Sequence, residues 1–276
     1  MGADALIRFR CPHCEAPLSP APGGLRCENQ HQFDQAREGY VNLLPAGRVR
    51  GRAPGDSDDM IRARRALFDA GHYRPIARAV ADAVASCRPV HVLDAGCGEG
   101  TYLAGIEGLD RIGIDVSKPA IKLAARRDTR ARFAVASSYR LPFGDDAQFD
   151  AIVSVFAPRP FSEFARVLRP NGVVVVASPG PDHLRGLTEL IYAQHDEHEQ
   201  RPHTAADSRT EICYRLTLRQ PDIVRLVQMT PYWWKATADQ QAEIAARPEL
   251  TLTIDVVVST HRYTSEANWA DASLDR

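Results

Sequence analysis

Short β-branched runs alternate with amphipathic helical segments over most of the chain after Pro89, and this alternation constrains the fold more than any other feature. The apolar runs lie at residues 90–93, 111–114, 132–135, 149–155 and 173–177, and the helical segments between them include residues 118–127 and 161–168. Neighbouring parallel strands need a crossover helix, so repeated strand–helix units favour a mostly parallel sheet covered on both faces. The sequence therefore predicts an α/β fold with a doubly wound sheet. A last alternating run, residues 250–259, is expected to complete an edge of that sheet.

Composition divides the chain into three zones. Residues 1–45 are rich in Cys, His, Pro and Gly, residues 46–57 form a basic linker broken by Gly and Pro, and residues 58–276 carry the α/β pattern. Ser57 precedes two aspartates and predicts the N-cap of an amphipathic helix that ends at Gly71, with a second helix from about Arg74 to Ser86. A chain of 276 residues is long enough for one α/β domain and one small module.

The charge balance and the apolar runs narrow the classes of partner. Lys and Arg total 34 against 35 Asp and Glu, so binding to a nucleic acid would need a local basic patch. Residues 1–10 lack the apolar segment of a signal peptide, and the longest apolar run, residues 172–177, is too short to cross a membrane. We therefore expect a soluble, cytoplasmic protein that does not associate with membranes.

A glycine-rich turn follows the first strand of the α/β pattern. In the segment VHVLDAGCGEG, Asp94 ends the strand and Gly96, Gly98 and Gly100 follow it. Glycines at this position let backbone approach a ligand closely, but the third glycine comes one residue too early for a dinucleotide-binding turn. The Asp94 carboxylate would repel a pyrophosphate, whereas it could bind the ammonium group of a methionyl moiety.

Polar residues also follow the second and third strands. Asp115 ends the second strand, where an acidic residue typically binds ribose hydroxyls, and Ser137 and Ser138 follow the third strand, where they could meet an adenine. Taken singly, the glycine turn could be a plain strand–helix connection and Asp115 a helix-capping group. Their order on successive strand ends instead resembles a class I methyltransferase, which uses S-adenosylmethionine, over about residues 89–180.

Three of the six cysteines lie close together near the N-terminus. Cys11 and Cys14 are followed by Cys27 and His31 in the pattern C-x2-C-x12-C-x3-H. Thiolate and imidazole ligands at this spacing suit a closed, tetrahedral zinc site, and four protein ligands leave no position for a reactive water. The sequence therefore predicts a structural zinc ion. His13 is the competing ligand, but its place between two ligating cysteines directs it away from the metal.

Further segments extend the resemblance to about residues 11–234. HQFDQAREGYVNLLP, PGDSDDMIRARRALFDAGHY, DVSKPAIK, SPGPDHL and QMTPYWW resemble the zinc-containing bacterial 23S ribosomal RNA guanine-N1 methyltransferases that modify the helix 35 hairpin. Two branches of this family act on neighbouring guanines, and one of them includes macrolide-resistance enzymes. TEICYRLTLR, QMTPYWW and the APGDS linker resemble the other branch, from Gram-negative bacteria. The family resemblance implies a 23S ribosomal RNA partner and a homodimer whose zinc modules help to hold RNA.

The resemblance also implies roles for individual residues. Zinc would be held by Cys11, Cys14, Cys27 and His31. The proposed cofactor-binding residues are Tyr73, Asp94, Gly96, Gly98, Glu99, Asp115, Ser137, Ser138 and His183. Without the resemblance, Tyr73 would be interpreted as a buried helix-end aromatic and His183 as a surface loop residue. The segment Arg159-Pro160-Phe161 departs from the family pattern, so the pocket for the target base stays undefined.

Several roles remain open at the level of sequence. The N1 proton of the guanine could be accepted by Asp94, Glu99 or His183. Arginines in the linker and first helix could contact phosphates or face solvent; they are Arg48, Arg50, Arg52, Arg62, Arg64 and Arg65. Tyr232, Trp233 and Trp234 could stack on RNA or pack against the sheet. We expect separate cores for the zinc module and the catalytic domain, so that removing zinc would loosen only the module. A small-molecule methyltransferase is the alternative function, although it would need neither the zinc module nor the arginine-rich linker.

Overall fold

The computed structural model describes residues 6–45, 57–108, 110–145, 147–192, 206–230, 232 and 236–264. Most of the predicted linker lies outside these ranges, together with Arg48, Arg50 and Arg52. Trp233 and Trp234 are outside them as well.

The strands and helices follow the predicted alternation closely. The strands are β1 (Ser19–Ala21), β2 (Gly24–Arg26), β3 (Gln32–Asp34), β4 (Val41–Asn42), β5 (His91–Ala95), β6 (Asp110–Asp115), β7 (Arg132–Val135), β8 (Phe149–Val155), β9 (Leu168–Pro179), β10 (Ser208–Arg219) and β11 (Glu249–Arg262). The helices are α1 (Asp58–Asp69), α2 (Arg74–Ala85), α3 (Thr101–Ala104), α4 (Lys118–Arg127), α5 (Phe161–Val167), α6 (Thr188–Ile191), α7 (Asp222–Gln228) and α8 (Ala238–Ala246). Among the described helices, none is both long enough and apolar enough to span a bilayer.

Eight strands form one sheet in the order β10-β11-β9-β8-β5-β6-β7-β4. The strands from β9 to β4 are parallel, and β11 runs antiparallel to both of its neighbours. The chain moves outward from β5 in one direction and then in the other, so the order reverses at β5. This arrangement confirms the predicted doubly wound α/β fold. Ligands of such sheets bind at the carboxyl ends of the strands beside the reversal, which places the candidate site after β5, β6 and β8.

The prediction that the final strand completes an edge of the sheet was wrong. β11 lies between β9 and β10, and β10 is the edge strand. The burial of the two strands explains the order: residues 254–258 of β11 are all buried, whereas most side chains of β10 are at least partly exposed. A strand covered on both faces is typically buried and largely apolar, and residues 254–258, which are apolar except for Asp255, fit an inner position better than an edge position.

The zinc module and the main sheet share one apolar core, so the expectation of separate cores was wrong. β4 leaves the module and pairs in parallel with β7. The buried ring of Phe9 stacks on Phe143 at a centroid distance of 5.5 Å, and Phe143 contacts Phe149 of β8 at 5.0 Å. The cluster around these rings also includes Cys11, Leu18 and Cys27 of the module. The change from the cysteine-rich zone to the α/β zone therefore does not coincide with a boundary between cores.

A buried carboxylate reinforces this contact. Asp110 at the start of β6 is 2% exposed, and its Oδ2 accepts a hydrogen bond from the Ile7 amide at 2.9 Å. Arg132 of β7 donates to both oxygens of the same carboxylate, at 2.6 and 2.7 Å. A charged group at this depth needs such partners, because an unpaired buried carboxylate is costly. The segment before the zinc ligands is thus anchored directly to the parallel sheet.

The first helix begins as the sequence predicts. The Ser57 hydroxyl accepts a hydrogen bond from the Met60 amide at 3.3 Å and so forms the N-cap of α1. After α1, Gly71 has a φ of +83°, which lets the chain turn sharply into α2. The connection is fixed from outside: His72 Nε2 lies 3.1 Å from Asp222 Oδ2, and the Tyr214 hydroxyl donates to the His72 carbonyl at 2.6 Å. These contacts position Tyr73 against the carboxyl end of the sheet.

Candidate active site and zinc centre

The glycine turn after β5 is closely packed from two sides. Gly96 has a φ of +91°, and a Cβ there would lie 2.6 Å from the Cβ of Ala157 in the loop after β8. Gly100 has a φ of +76°, and a Cβ there would lie 3.0 Å from the Cβ of Ala124 in α4. Both positions exclude side chains by conformation and by space. The turn therefore brings bare backbone to the carboxyl end of β5, where a ligand can approach it.

Asp115 connects the ends of β5 and β6. Its Oδ2 accepts a hydrogen bond from the Gly98 amide at 3.0 Å, and its Oδ1 accepts one from the Ser117 amide at 2.7 Å. Ser117 is itself the N-cap of α4, so Asp115 holds the residue that caps the helix and is not the helix cap. A carboxylate oxygen has more than one acceptor position. Asp115 can therefore fix the turn and still accept hydrogen bonds from a pair of hydroxyl groups.

Asp94 is a buried carboxyl group that lacks a complete set of partners. It is 1% exposed, and no hydrogen bond to its Oδ2 is present among the described residues. Burial, together with the nearby Asp115 carboxylate, raises the pKa of Asp94 to about 8. A cationic ligand beside it would supply the missing hydrogen bonds and favour the ionised form. This environment fits the ammonium group of a methionyl moiety.

Three further polar atoms near the turn are buried without a hydrogen-bond partner in the described part of the chain. They are Glu99 Oε2 and the hydroxyl oxygens of Tyr73 and Tyr102. Both tyrosine rings contact Phe68 of α1 edge-on, at centroid distances of 5.1 and 5.7 Å. Burial raises the pKa of both phenols, so the hydroxyl groups remain protonated donors near neutral pH. Buried donors and acceptors of this kind normally have partners, so their concentration here indicates a ligand site.

Arg64, for which the sequence left phosphate contact and solvent exposure open, lies beside the glycine turn. Its side chain is half-buried, and a Cβ added to Gly98 would lie 3.7 Å from Arg64 Nη1. Burial raises the pKa of Glu99, and the positive charge of Arg64 offsets part of that rise. Helical spacing indicates the inward position of residue 64. It lies three positions from residues 61 and 67 and four from residue 68, and these residues face the core.

The neighbouring arginines of α1 differ from Arg64. Arg62 and Arg65 are exposed, and they pair with Asp59 at 2.5 Å and with Asp69 at 3.5 Å. Arg64 therefore belongs to the glycine turn, whereas Arg62 and Arg65 remain available to solvent or to phosphates.

The two serines after β7 occupy different environments. Ser138 is buried, and Ser137 accepts a hydrogen bond from the Tyr139 amide through its Oγ at 3.2 Å. Ser137 also lines a cavity of about 730 Å³ with Val116 and Ala136 on the sheet side. Arg10, Leu43 and Arg140 are among the residues that line the rest of this cavity. The end of β7 therefore opens into a cleft between the sheet and the zinc module.

His183 is buried, so its interpretation as a surface loop residue from sequence alone was wrong. It is 7% exposed, and its Nδ1 accepts a hydrogen bond from the Asp255 amide of β11 at 3.3 Å. The ring lies 5.7 Å from that of Phe156, centroid to centroid. Tyr73, in contrast, is 3% exposed and is the N-cap residue of α2, as a buried helix-end aromatic would be. Tyr232 is half-buried and packs edge-on against Tyr192, which leaves its ring committed to packing.

The four predicted zinc ligands converge on one point. The ligand atoms of Cys11, Cys14, Cys27 and His31 all lie within 4.8 Å of one another. His31 Nδ1 is 3.5 Å from each of the three sulfur atoms, and the sulfur atoms of Cys14 and Cys27 are 3.7 Å apart. Tetrahedral zinc, with Zn–S of about 2.3 Å and Zn–N of about 2.0 Å, separates its ligand atoms by about 3.5–3.8 Å. The donor set and its spacing therefore fit a four-coordinate zinc ion, and His13 stacks on Phe33 instead of joining it.

Comparisons with known proteins agree with both parts of the structure. Residues 9–52 match the family model described as the N-terminal zinc ribbon of RlmA, and residues 92–172 match a methyltransferase domain. The chain is 39% identical over 275 residues to the 23S rRNA (guanine(748)-N(1))-methyltransferase of Streptomyces fradiae, an alignment that covers 92% of this chain and 97% of the relative. This chain belongs to the 23S rRNA (guanine-N1)-methyltransferase family.

Two further family members are similar along nearly their whole length. A candidate 23S rRNA (guanine-N(1)-)-methyltransferase of Micromonospora griseorubida is 37% identical over 95% of this chain and 99% of its own. A candidate family member of Bacillus subtilis is 33% identical over 90% of this chain and 94% of its own. The predicted family, its class I fold, its S-adenosylmethionine cofactor and its structural zinc are therefore confirmed.

Proposed function

We propose that this protein transfers a methyl group from S-adenosylmethionine to N1 of a guanine in the helix 35 hairpin of 23S ribosomal RNA. Similarity to guanine-N1 methyltransferases over more than nine tenths of the chain carries the proposal. The cleft between the main sheet and the zinc module is lined by Arg10 and Arg140 beside the end of β7, and Arg140 pairs there with Glu15 at 2.8 Å. S-adenosylmethionine supplies a sulfonium-bound methyl group, and the protein supplies alignment of that group with the base.

Different residues around the glycine turn would bind different parts of the cofactor. Asp115 would accept hydrogen bonds from the ribose hydroxyls, and Ser137 and Ser138 would bind the adenine. Gly96, Gly98 and Glu99 would hold the methionyl end. Asp94 and Glu99 bind its ammonium group, because both are buried carboxyls with an oxygen that lacks a partner.

The carboxylate of the methionyl end would need hydrogen-bond donors. Arg64 and the phenols of Tyr73 and Tyr102 would bind it, since all three are hydrogen-bond donors near the glycine turn. An arginine is well suited to this role because its planar guanidinium can donate two parallel hydrogen bonds to a carboxylate. Tyr73 and His183 enclose the cofactor from α2 and from the loop after β9.

The reacting base must leave any base pair before transfer. Guanine N1 lies on the Watson–Crick edge and carries a proton, so the enzyme acts on an unpaired or extruded base. Methylation requires that this proton leave. Of the three candidate acceptors, Asp94 and Glu99 face the ammonium pocket, whereas His183 faces Phe156 at the end of β8. His183 Nδ1 accepts a hydrogen bond from the Asp255 amide, so the proton of the neutral ring lies on Nε2, and we assign no residue as the acceptor of the N1 proton.

Two guanines of the hairpin are candidate targets. Segments such as TEICYRLTLR and QMTPYWW favour the Gram-negative branch. The relative of Streptomyces fradiae is named for guanine 748, which favours the neighbouring guanine of the other branch. We further propose that the protein is a cytoplasmic homodimer in which the zinc module, residues 1–45, and the linker contact RNA. Light scattering of the purified protein tests the dimer, and a monomeric mass would exclude it.

Methyl transfer to defined RNA tests the function. The substrate is a helix 35 hairpin, and two matched controls carry 1-methylguanosine in place of one or the other candidate guanine. With isotope-labelled S-adenosylmethionine, we expect incorporation into the unmodified hairpin and into only one of the two controls, which identifies the target. Equal incorporation into all three hairpins would place the methyl group elsewhere. No incorporation into the hairpin or into unmodified 23S ribosomal RNA would exclude the ribosomal substrate.

A further inference from the structure

Phe156, the residue that follows β8, combines exposure with an unfavourable backbone conformation. In the described part of the chain, the exposed large hydrophobic residues are Leu6, Tyr139 and Phe156, and Phe156 is 42% exposed. Of these three, only Phe156 has a positive φ, at +51°. A bulky side chain is disfavoured in this region of conformational space, and such residues concentrate at functional sites. Phe156 is too exposed to belong to the core, and a turn with a positive φ would favour glycine over phenylalanine.

The backbone around Phe156 is held rigidly. The Phe156 amide donates to the Ala177 carbonyl of β9 at 3.0 Å. The hydroxyl of Ser154, which is fully buried, lies 3.4 Å and 3.3 Å from the carbonyl oxygens of Ala157 and Pro158. Ala157 in turn packs against Gly96, so closely that Gly96 has no room for a Cβ. The exposed ring is therefore presented by a fixed loop that touches the glycine turn.

In the described part of the chain, the Phe156 ring has one aromatic neighbour, and the residue is partly exposed. The centroid of the His183 ring lies 5.7 Å away with an interplanar angle of 30°, and His183 is buried. Phe156 thus packs beside a buried histidine at the carboxyl end of β8, next to β5. This end of an α/β sheet, next to the point where the strand order reverses, is where ligands bind. A flat, apolar and partly exposed face at this place suits a planar ligand.

We propose that Phe156 is the stacking platform for the target guanine, positioned so that the N1 edge of the base faces the methyl donor over Gly96. The inference rests on the proposed function and adds the missing base-binding residue. Proteins that read single-stranded RNA commonly stack an unpaired base on an aromatic side chain, because every base offers a π face. The segment 159–161, which departs from the family pattern, follows the platform in sequence. Rigidity of the loop lowers the entropy lost when the base is aligned.

Substitution of Phe156 by Leu and by Tyr tests the platform. Phe156→Leu keeps an apolar side chain but removes the π face, whereas Phe156→Tyr keeps the face. Tyr139→Leu, at an exposed aromatic after β7, is the matched control. With the helix 35 hairpin as substrate, we expect Phe156→Leu to lower kcat/KM about tenfold or more, Phe156→Tyr to stay within about threefold of wild type, and Tyr139→Leu to retain more activity than Phe156→Leu. The affinity for S-adenosylhomocysteine, measured by calorimetry, should be unchanged in all three variants.

Several results would overturn the platform. One is a wild-type kcat/KM for Phe156→Leu, and another is an equal loss in Phe156→Leu and Phe156→Tyr. A matching loss of cofactor affinity in Phe156→Leu would assign the ring to the cofactor instead. A second measurement uses a hairpin with 2-aminopurine at the target position. Stacking quenches its fluorescence, so the complex with Phe156→Leu should be brighter than the wild-type complex, and equal brightness would refute stacking. If wild-type protein failed to methylate the unmodified hairpin, the proposed function itself would fail.

Discussion

The shared core between the zinc module and the main sheet makes a quantitative prediction for Phe9→Ala. Phe9 is 5% exposed and stacks on Phe143 at 5.5 Å, and Phe143 contacts Phe149, which is fully buried in β8. Truncation of a buried phenylalanine to alanine typically costs about 3–5 kcal/mol. Because these rings belong to one continuous cluster, we expect the loss to reach the catalytic sheet and not the module alone.

Hydrogen exchange of the amides in β5 and β8 measures this coupling. Since about 1.4 kcal/mol corresponds to a tenfold change in an equilibrium constant, a loss of about 3–5 kcal/mol should speed exchange of the globally protected amides about a hundredfold to several-thousandfold. Tyr139→Ala is the control, because Tyr139 is 60% exposed and its truncation should change stability by less than about 0.5 kcal/mol. Unchanged exchange in β5 and β8 of Phe9→Ala, with faster exchange only in the zinc module, would refute the shared core.

Four further predictions concern the two sites. Asp115→Ala should weaken S-adenosylmethionine binding by about 1.5–3 kcal/mol, because the ribose loses a charged acceptor; calorimetry with unchanged affinity would remove Asp115 from the site. Arg64→Gln should weaken binding of S-adenosylhomocysteine about tenfold or more and leave 5′-methylthioadenosine, which lacks the amino-acid group, unaffected; equal effects on both ligands would exclude the carboxylate contact, and Arg62→Gln is the matched control. Folding raises the pKa of Asp94 from 3.8 to about 8, so the folded state favours the protonated carboxyl group. The free energy of unfolding of the ligand-free protein should therefore fall as the pH rises from 6 to 8, by up to about 1.4 kcal/mol per pH unit more than that of Asp94→Asn. Parallel pH profiles of the two proteins in urea titrations would contradict this. Protein prepared without chelator should contain one zinc ion per chain and Cys14→Ser less, and chelation should destabilise the sheet as well as the module; elemental analysis that finds no zinc would refute the metal site.

Local patterns were sufficient to predict strands β5 to β9 and β11, the zinc ligands and the glycine turn. Apolar periodicity, glycine placement and cysteine spacing are short-range features, and each corresponds to one strand, one turn or one knuckle. The N-cap at Ser57 and the end of α1 near Gly71 follow from single residues in the same way. The order of the outer strands did not follow, because β10 and β11 pair over long sequence separations that periodicity does not encode.

The proposed roles of Arg64 in cofactor binding and of Phe156 in base stacking depend on tertiary contacts. Arg64 is one of three arginines in α1, and it differs from Arg62 and Arg65 in lying on the inward face of the helix. Phe156 follows a buried strand and resembles one more core residue until its positive φ and its exposed ring are seen. The core shared by the zinc module and the sheet was hidden for a related reason. A change in composition along the chain indicates a change of local structure. It does not indicate whether the apolar surfaces on either side of the linker pack together.

Primer extension on 23S ribosomal RNA tests the central claim most directly. A methyl group on N1 blocks Watson–Crick pairing, so reverse transcriptase stops at the modified guanine. RNA from the source strain should show a stop in the helix 35 hairpin, RNA from a strain that lacks this gene should show none, and reintroduction of the wild-type gene should restore the stop. The position of the stop distinguishes guanine 748 from its neighbour. An identical pattern across the hairpin in all three strains would contradict the assignment of this protein to ribosomal RNA.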